Sequence, residues 1–306
     1  MDSTIEVAFT KKYSPQLYIL CQQRTSRFAS KVRRETVSGA TEAYFDRLGT
    51  VDPEEITTRH PATPINEIPN SRRRVSLTSM HVNTPLDHLD KLQMMIDPQN
   101  AYGMVQAYGL GRQMDDRIIA AALGNASAGV DGTATVAFKD DSISINGGGT
   151  ATTLGTLASV GTVVDITLEK VLLMMQIFNQ EECDPDIPKH WAINPKTQAD
   201  LLALTQVGSS DYATVKVLAE GKISTWHGFN WFISNRVTKD AVTSTAYRDF
   251  AWAQDGIIFA QWEDIFNRVD ERADVSYMIQ VYSRMTNGAV RLDGTKVHEC
   301  LNKVAW

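Results

Sequence analysis

The stretch from Gly109 to Gly124, GLGRQMDDRIIAAALG, holds residue types from which a phosphate cradle or a pair of catalytic carboxylates can be built. Gly109 and Gly111 are not followed by a third glycine three residues later, and they lie inside a helical pattern, so the dinucleotide-binding pattern is incomplete. Asp115 and Asp116 would point about 100° apart on a helix, so they do not form a facing acid–base pair. Arg112 precedes them by three and four residues, which predicts intrahelical ion pairs instead.

Other chemical patterns are equally incomplete. The segment NGGGT at 146–150 lacks the lysine of a phosphate-binding loop and no helix pattern follows it. Six histidines are scattered without metal-ligand spacing, and the three cysteines lie far apart, as expected for buried thiols in a reducing compartment. We therefore predict no catalytic residue, no metal site and no cofactor. A nucleotide-dependent enzyme stays as an alternative that requires GLGRQ or NGGGT to bind phosphate.

The net charge of −6 argues against a chain that mainly binds nucleic acid, but the charge is unevenly placed. Residues 1–74 hold 12 of the 30 Lys and Arg residues against 9 of the 36 Asp and Glu residues. Residues 13–48 look like a helix-prone arm, in which Arg24, Arg27, Lys31 and Arg34 recur at spacings of three and four. Such a basic face is either solvated or docked on a partner. No apolar run is long enough to cross a membrane.

Residues 50–87 contain five of the ten prolines, which exclude a regular helix there. Arg72, Arg73 and Arg74 precede an alternating strand pattern that starts at Val75. A connection this long has too few apolar residues to fold alone, so we expect another surface to order it. Identical neighbours in a closed assembly are the most economical surface of this kind, and a solvated turn is the alternative for the arginine triplet.

The remainder reads as a mixed α+β fold. A helix of about 26 residues is predicted between Asp97 and Gly124, with glycines that suggest close packing of another backbone. A capped helix through LEKVLLMMQIF, a buried strand at 190–194, a helix from Pro195 and strands around Gly228 follow. Asn287–Gly288 and Asp293–Gly294 predict two hairpin turns in a final meander.

The order of these features resembles the major capsid proteins of tailed bacteriophages, which have the Hong Kong 97-type fold. The resemblance lies in LYILCQQRTSRFASKV, in NSRRRVSL ahead of DPQNAYGMVQAYGLGRQMDDRIIAAALGNASAG, in INPKTQADLLALTQVGSSDYATVKVLAEGKISTWHGFNWFISNRV, and in the closing GAVRLDGTKVHECL. It covers most of the chain in the same order.

The resemblance implies a shell protein with an N-terminal arm (1–48), an extended loop (49–87), a peripheral domain (88–189 and 271–306) and an axial domain (190–270). The peripheral domain would contain a spine helix at 98–123. The arm and loop would lie across neighbouring subunits, which makes Arg24, Arg27, Arg34, Arg72, Arg73 and Arg74 the expected inter-subunit contacts. Residues 1–34 are then expected to be needed for assembly but not for folding of the subunit.

Hexamers and pentamers of this chain would form the icosahedral shell around double-stranded DNA, which the arm touches weakly and non-specifically. Portal, scaffolding and possibly cement proteins are the other expected partners, and no membrane is involved. The protein would be found in the virion after assembly in the host bacterial cytoplasm. A cellular encapsulating shell of the same fold, and a nucleic-acid-binding protein led by the basic arm, stay as alternatives.

Overall fold

The computed structural model describes residues 19–59, 65–87, 99–146, 163–204, 225–239 and 245–304. The chain divides into two compact units. One comprises residues 1–25, 79–112 and 263–285, and the other comprises residues 26–78, 113–262 and 286–306. The boundaries of these two units differ from those predicted for the peripheral and axial domains. The two predicted domains therefore stay a prediction.

The described residues contain both helices and strands, in agreement with the α+β prediction. The helices are α1 Gln99–Leu123, α2 Phe138–Asp141, α3 Leu168–Gln180 and α4 Pro195–Ala203. The strands are β1 Arg33–Thr36, β2 Glu42–Leu48, β3 Asn70–Ser76, β4 Thr78–Leu86, β5 Ala126–Ala128, β6 Ala134–Val136, β7 Ser144–Ile145, β8 Lys189–Ile193, β9 Thr225–Trp226, β10 Phe229–Ile233, β11 Ala246–Ala253, β12 Ile257–Arg272, β13 Met278–Arg291 and β14 Val297–Lys303.

The predicted spine helix is present as α1, which has 25 residues. It ends where Gly124 donates its backbone N–H to the carbonyl oxygen of Ala120 at 2.9 Å, while Asp97 and Pro98 lie outside the described residues. An added Cβ on Gly103 would meet no atom of the described chain within 4 Å, so none of the described backbone approaches this glycine closely. At Gly109 the nearest atom is a side-chain nitrogen of Arg112 at 3.7 Å.

A six-stranded sheet with the order β7-β14-β11-β8-β10-β9 forms the centre of the second unit. Strand β8 pairs in parallel with β10 and antiparallel with β11. It is buried along its full length, which confirms the predicted strand at 190–194. Trp191 and Phe229 are fully buried in its core, with ring centroids 5.1 Å apart.

Local capping residues begin the two helices that pack beside this sheet. Thr167 accepts a hydrogen bond from the backbone N–H of Lys170 at the start of α3, and Asn194 accepts one from Lys196 before Pro195 in α4. Gly228 has a φ of 79° and forms the turn between β9 and β10. These predictions are confirmed.

The N-terminal arm differs from its prediction. Residues 19–32 contain no helix, and β1 and β2 follow them. Strand β1 pairs in parallel with β12, where Arg33 is opposite Ile258. The predicted helix is therefore wrong for the described part of 13–48, because tertiary hydrogen bonds hold these residues in other conformations.

The predicted extended loop, 49–87, contains the connection of a β-hairpin. Strands β2 and β3 pair antiparallel, with Tyr44 opposite Arg74, and residues 49–69 join them. The hairpin belongs to a sheet with the order β2-β3-β5-β6. The arginine triplet lies inside β3, so the prediction that the strand starts at Val75 is wrong by five residues.

Asn287–Gly288 does not form the predicted hairpin turn but lies within β13. A Cβ on Gly288 would lie 2.5 Å from Cγ1 of Val75 and 2.7 Å from the carbonyl oxygen of Ser76. The glycine is thus needed for close approach of β3 rather than for a turn. Asp293 caps a short 3-10 turn at Gly294–Lys296 that leads into β14, and β13 and β14 belong to different sheets.

Candidate assembly interface

The arm is anchored in the second unit by Phe28, which is fully buried. Its ring packs edge-on against Phe232 with centroids 4.9 Å apart, and it stacks with Phe250 and Trp252 at 5.9 and 5.7 Å. Aromatic pairs at these separations add to the gain from burying the ring itself. The arm is therefore attached to its own subunit at residue 28.

Asp115 of α1 fixes the backbone around this anchor. Its carboxylate accepts hydrogen bonds from Oγ of Ser26 at 2.5 Å and from the backbone N–H groups of Arg27 at 3.0 Å and Phe28 at 3.2 Å. The side chain of Asp115 has no exposed surface. A buried carboxylate with several donors is the arrangement that offsets its desolvation. Asp115 thus holds the arm, a role that its spacing from Arg112 did not indicate.

Lys31 and His190 lie further along the same contact. The indole N–H of Trp252 donates to the carbonyl oxygen of Lys31 at 2.9 Å, and the Lys31 ammonium lies 4.6 Å from the ring centroid of Phe232. The half-buried position of Lys31 lowers its pKa. Burial, followed by the Lys31 charge, lowers the pKa of His190 to about 4, so this imidazole is neutral at pH 7.

The predicted contact residues of the arm have mixed surroundings. Arg24 is exposed, and Arg27, also exposed, donates from its guanidinium to the carbonyl oxygen of Ile233. Arg34 is exposed and donates to Oε1 of Gln261 at 2.5 Å. All three guanidinium groups stay accessible for a neighbour, and their role as inter-subunit contacts stays a prediction.

The ion pairs predicted within the spine helix are replaced by longer-range partners. Arg112 donates to Oε1 of Gln22 at 2.8 Å and to the carbonyl oxygen of Gln23 at 3.3 Å. The carboxylate of Asp116 accepts two hydrogen bonds from the guanidinium of Arg236, one from Nε at 2.5 Å and one from Nη2. The prediction that Arg112 pairs with Asp115 or Asp116 is therefore wrong, because each of the three side chains finds a better donor or acceptor on another segment.

The arginine triplet alternates between the two faces of β3. Arg72 pairs with Asp46 at 2.5 Å and Arg74 pairs with Glu42 at 2.9 Å, both across the hairpin on β2. Arg73 points to the opposite face, is only 1% exposed and pairs with Asp141 at 2.6 Å. The predicted inter-subunit contact is wrong for Arg73, because its own chain buries it.

Asp141 joins Arg73 to a second buried arginine. Arg291 of β13 donates to the other oxygen of Asp141 at 2.8 Å, and it also donates to the carbonyl oxygens of Ala122 at 3.0 Å and Gly124 at 2.7 Å. Burial lowers the pKa of both arginines, and the Asp141 charge opposes this effect. One carboxylate therefore connects the hairpin of β2 and β3, strand β13 and the end of α1.

A second buried polar group stabilises the six-stranded sheet. Lys170 donates to the carbonyl oxygens of Val164 at 2.9 Å and Leu301 at 2.7 Å, and Asn302 donates to Asp249 at 2.8 Å. Burial raises the pKa of Asp249 to about 6. Lys170 and Asp249 have no exposed surface, so this group serves the fold rather than a substrate.

Within the described ranges, His, Cys, Asp and Glu form no cluster of three or more that is suited to a metal ion. No helix among the described residues is long and apolar enough to cross a membrane.

Several solved structures to which this chain is similar come from phages. The capsid of the cyanophage P-SCSP1u has 16% sequence identity and a TM-score of 0.73, with coverage of 98% of this chain and 94% of that chain. The structure from Mycobacterium phage Che8 has 12% identity and a TM-score of 0.68, with 95% and 96% coverage. The capsid of Ralstonia phage GP4 has 14% identity and a TM-score of 0.68, with 97% and 96% coverage. The fold is therefore the Hong Kong 97-type fold of tailed-phage capsids.

The family assignment comes from the sequence itself. A family model of phage capsid proteins matches residues 5–304, and the chain belongs to that family. It is a major capsid protein, a structural component that self-associates to form the shell of a virion. The search of curated proteins found no match.

Proposed function

We propose that this chain assembles as hexamers and pentamers into an icosahedral shell that encloses double-stranded DNA. The observation that carries the proposal is the family match over residues 5–304. Assembly takes place in the host bacterial cytoplasm, with portal, scaffolding and possibly cement proteins as partners. The chain has no enzymatic activity, and the closed surroundings of Asp249 and Lys170 support that conclusion.

The accessible arginines of the arm and the hairpin supply contacts between subunits. Arg24, Arg27 and Arg34 extend from the anchored arm, and Arg72 and Arg74 lie on the outer face of β3. Their charges are partly compensated within the chain, so each contact with a neighbour adds a modest amount of binding energy. The basic arm also touches packaged DNA weakly, because the net charge of −6 disfavours tight phosphate binding.

The first experiment is electron microscopy and sedimentation of the purified full-length chain. Closed shells, hexamers or pentamers are the expected products, and a stable monomer under all assembly conditions would contradict the proposal. Calorimetric titration with common nucleotides tests the enzyme alternative, for which saturable micromolar binding would be required.

A truncation tests the arm separately. Deletion of residues 1–34 would remove Phe28 from its aromatic site, so we now expect this truncation to destabilise the subunit itself. Deletion of residues 1–25 keeps Ser26, Arg27 and Phe28. We expect the shorter truncation to yield soluble protein with impaired shell formation, measured against the full chain by sedimentation.

A further inference from the structure

A lysine, an asparagine and an aspartate meet in the core beside the six-stranded sheet. Nζ of Lys170 in α3 lies 3.3 Å from Oδ1 of Asn302 in β14, and Nδ2 of Asn302 donates to Oδ2 of Asp249 in β11 at 2.8 Å. Lys170 and Asp249 have no exposed surface, and Asn302 is 1% exposed. A side-chain amine therefore contacts a carboxamide whose nitrogen faces a carboxyl group, and all three groups are buried.

The surroundings of the amine and of the carboxyl group favour their uncharged forms. Lys170 donates to neutral acceptors, which are two backbone carbonyl oxygens and the side chain of Asn302. Asp249 accepts from the backbone N–H of Asn194 at 3.0 Å and from the amide of Asn302. Burial lowers the pKa of Lys170 and raises the pKa of Asp249 to about 6. The uncharged amine is the nucleophilic form of lysine.

The oxygen of the carboxamide has a second neighbour, the thiol of Cys300. Its Sγ donates to Oδ1 of Asn302 over 3.7 Å. Burial raises the pKa of this thiol to about 11, so the thiol keeps its proton at pH 7. A donor at this oxygen stabilises the negative charge that develops there when a nucleophile adds to Cγ. One asparagine side chain is therefore surrounded by a nucleophile, an acid–base group and a hydrogen-bond donor, which are the parts that acyl transfer requires.

We propose that Lys170 and Asn302 of each chain react with one another to form an internal isopeptide bond. The neutral amine of Lys170 adds to Cγ of Asn302, while Asp249 in its protonated form gives its proton to Nδ2 and takes one from Nζ. The bond between Cγ and Nδ2 breaks, so ammonia leaves, an amide joins Nζ to Cγ, and Asp249 is restored. Contact between the two reacting groups in the folded core replaces a bimolecular encounter. The reaction occurs once in each chain and has no external substrate.

The bond would attach α3 covalently to β14. It closes a loop between two positions that are 132 residues apart in the sequence. A cross-link over such a distance restricts the unfolded chain in the same way as a disulfide. An amide, however, resists reducing agents and forms without the oxidising compartment that disulfides need. The six-stranded sheet is then held to its neighbouring helix by a permanent bond.

Intact mass spectrometry of the purified, unassembled full-length chain tests the proposal. We expect a mass that is lower than that of the sequence by one molecule of ammonia. Trypsin should then release a branched peptide that joins residues 140–189 to residues 297–303, because it does not cleave after a modified Lys170. A chain that keeps its full mass, both after purification and after prolonged incubation in the folded state, would overturn the proposal.

Ammonia is also lost when an asparagine side chain closes on the next backbone nitrogen, which here belongs to Lys303. That product contains no link to Lys170, so a loss of ammonia without the branched peptide would refute the isopeptide bond. The measurement needs no assembly, and its result is therefore separate from the outcome for the proposed shell.

Substitutions identify the reacting groups. Lys170→Arg keeps a cation with several donors but removes the nucleophilic amine, so this variant should keep the full sequence mass. Lys196→Arg is the matched control, because Lys196 is also buried but pairs with Asp165 and Asp200, and this variant should still lose ammonia. Loss of ammonia from Lys170→Arg would contradict the proposal.

Asp249→Asn retains the size of the side chain and removes the acid–base group. Because general acid–base catalysis contributes about 100-fold or more, we expect the bond to form at least about tenfold more slowly in this variant. The fraction of branched peptide over time after synthesis gives the rate, and an unchanged rate would exclude Asp249 from the reaction. If a variant fails to fold, the mass of the wild-type chain decides alone.

Discussion

Asp115 accepts a hydrogen bond from the backbone N–H of Phe28, although 87 positions separate the two residues in the chain. The same carboxylate binds Ser26 and Arg27, so one side chain of α1 fixes the direction in which the arm leaves its anchor. Asp115 thus holds the arm at residues 26–28, and Arg112 bonds it a few residues earlier, at Gln22 and Gln23.

The Asp115 contact predicts protease sensitivity. Asp115→Ala removes the acceptor for three donors, and hydrogen bonds to a charged group contribute about 1.5–3 kcal/mol each. Opening of the arm should therefore become at least about tenfold more frequent, and trypsin should cleave after Arg27 correspondingly faster. Time courses of limited proteolysis on unassembled protein measure this. Asp116→Ala is the control, and an equal cleavage rate in both variants would show that Asp115 does not hold the arm.

The pair formed by Asp116 and Arg236 should contribute little by comparison. Their side chains are 37% and 30% exposed, and partly solvated pairs couple by about 1 kcal/mol or less even when the guanidinium binds with two nitrogens. A double-mutant cycle with Asp116→Ala and Arg236→Ala, followed by urea unfolding, gives the coupling energy. A value of several kcal/mol would mean that water is excluded from this pair more fully than its exposure indicates.

Asp141 should be far more sensitive to substitution. Asp141→Asn leaves Arg73 and Arg291 buried without their shared counter-charge, and removal of one partner from a buried ion pair costs about 3–5 kcal/mol. The free energy of unfolding should fall by that amount. Asp140→Asn is the matched control, because Asp140 only caps α2 through the backbone N–H of Ala137 and its loss costs about 1 kcal/mol. Similar losses from both variants would contradict the proposed role of the cluster.

His190 predicts acid sensitivity of the subunit. Its pKa is about 4 in the fold and 6.5 ordinarily, so between these values the unfolded chain binds a proton that the folded chain does not. Acidification from pH 6.5 towards 4 therefore lowers the free energy of unfolding, by about 2 kcal/mol at pH 5 for this group. Lys31 is the charged group that faces it. The pKa of His298 is also about 4 and adds a loss of the same sign. Asp249 acts in the opposite direction, because its pKa is raised in the fold.

The variant His190→Phe keeps an aromatic ring beside Trp252 and removes the titration. Its unfolding free energy should fall less between pH 7 and pH 5 than that of the wild type, as measured by urea unfolding at both values. His298→Phe is the comparison, since it also removes the acceptor for the backbone N–H of Ile143 and so destabilises at both pH values. An unchanged pH dependence in His190→Phe would contradict the assignment.

Elements with local signals could be predicted from the sequence. Helices α3 and α4 begin at Thr167 and Asn194, whose side chains cap the backbone a few residues away. The end of α1 at Gly124 is of the same kind. Each signal and its structural effect lie within one or two helical turns, so tertiary context does not alter them.

Long-range partners could not be predicted in this way. Nothing near Asp115 indicates that its donors lie in the arm, and the spacing to Arg112 favoured a nearer partner. The alternation of β3 was an available signal: residues 72 and 74 share one face, whereas Arg73 shares the other with buried Val75. Gly288 resembled a turn residue because a glycine required by close strand approach has the same sequence signature as one required by backbone conformation.

The position of Asp141 also provides a path along which a force on the hairpin of β2 and β3 can reach α1. Tension on the extended hairpin passes through Arg73 to Asp141, and from there through Arg291 to the carbonyl oxygens of Ala122 and Gly124 at the end of α1. The linkage consists of short, buried, charge-assisted bonds, so it yields little before it breaks. Strain on the hairpin in a pressurised shell would then reach the end of α1 through this carboxylate, in parallel with the pairing of β3 with β5 and with the bonds of Arg47 and Arg73 to the carbonyl oxygen of Leu292.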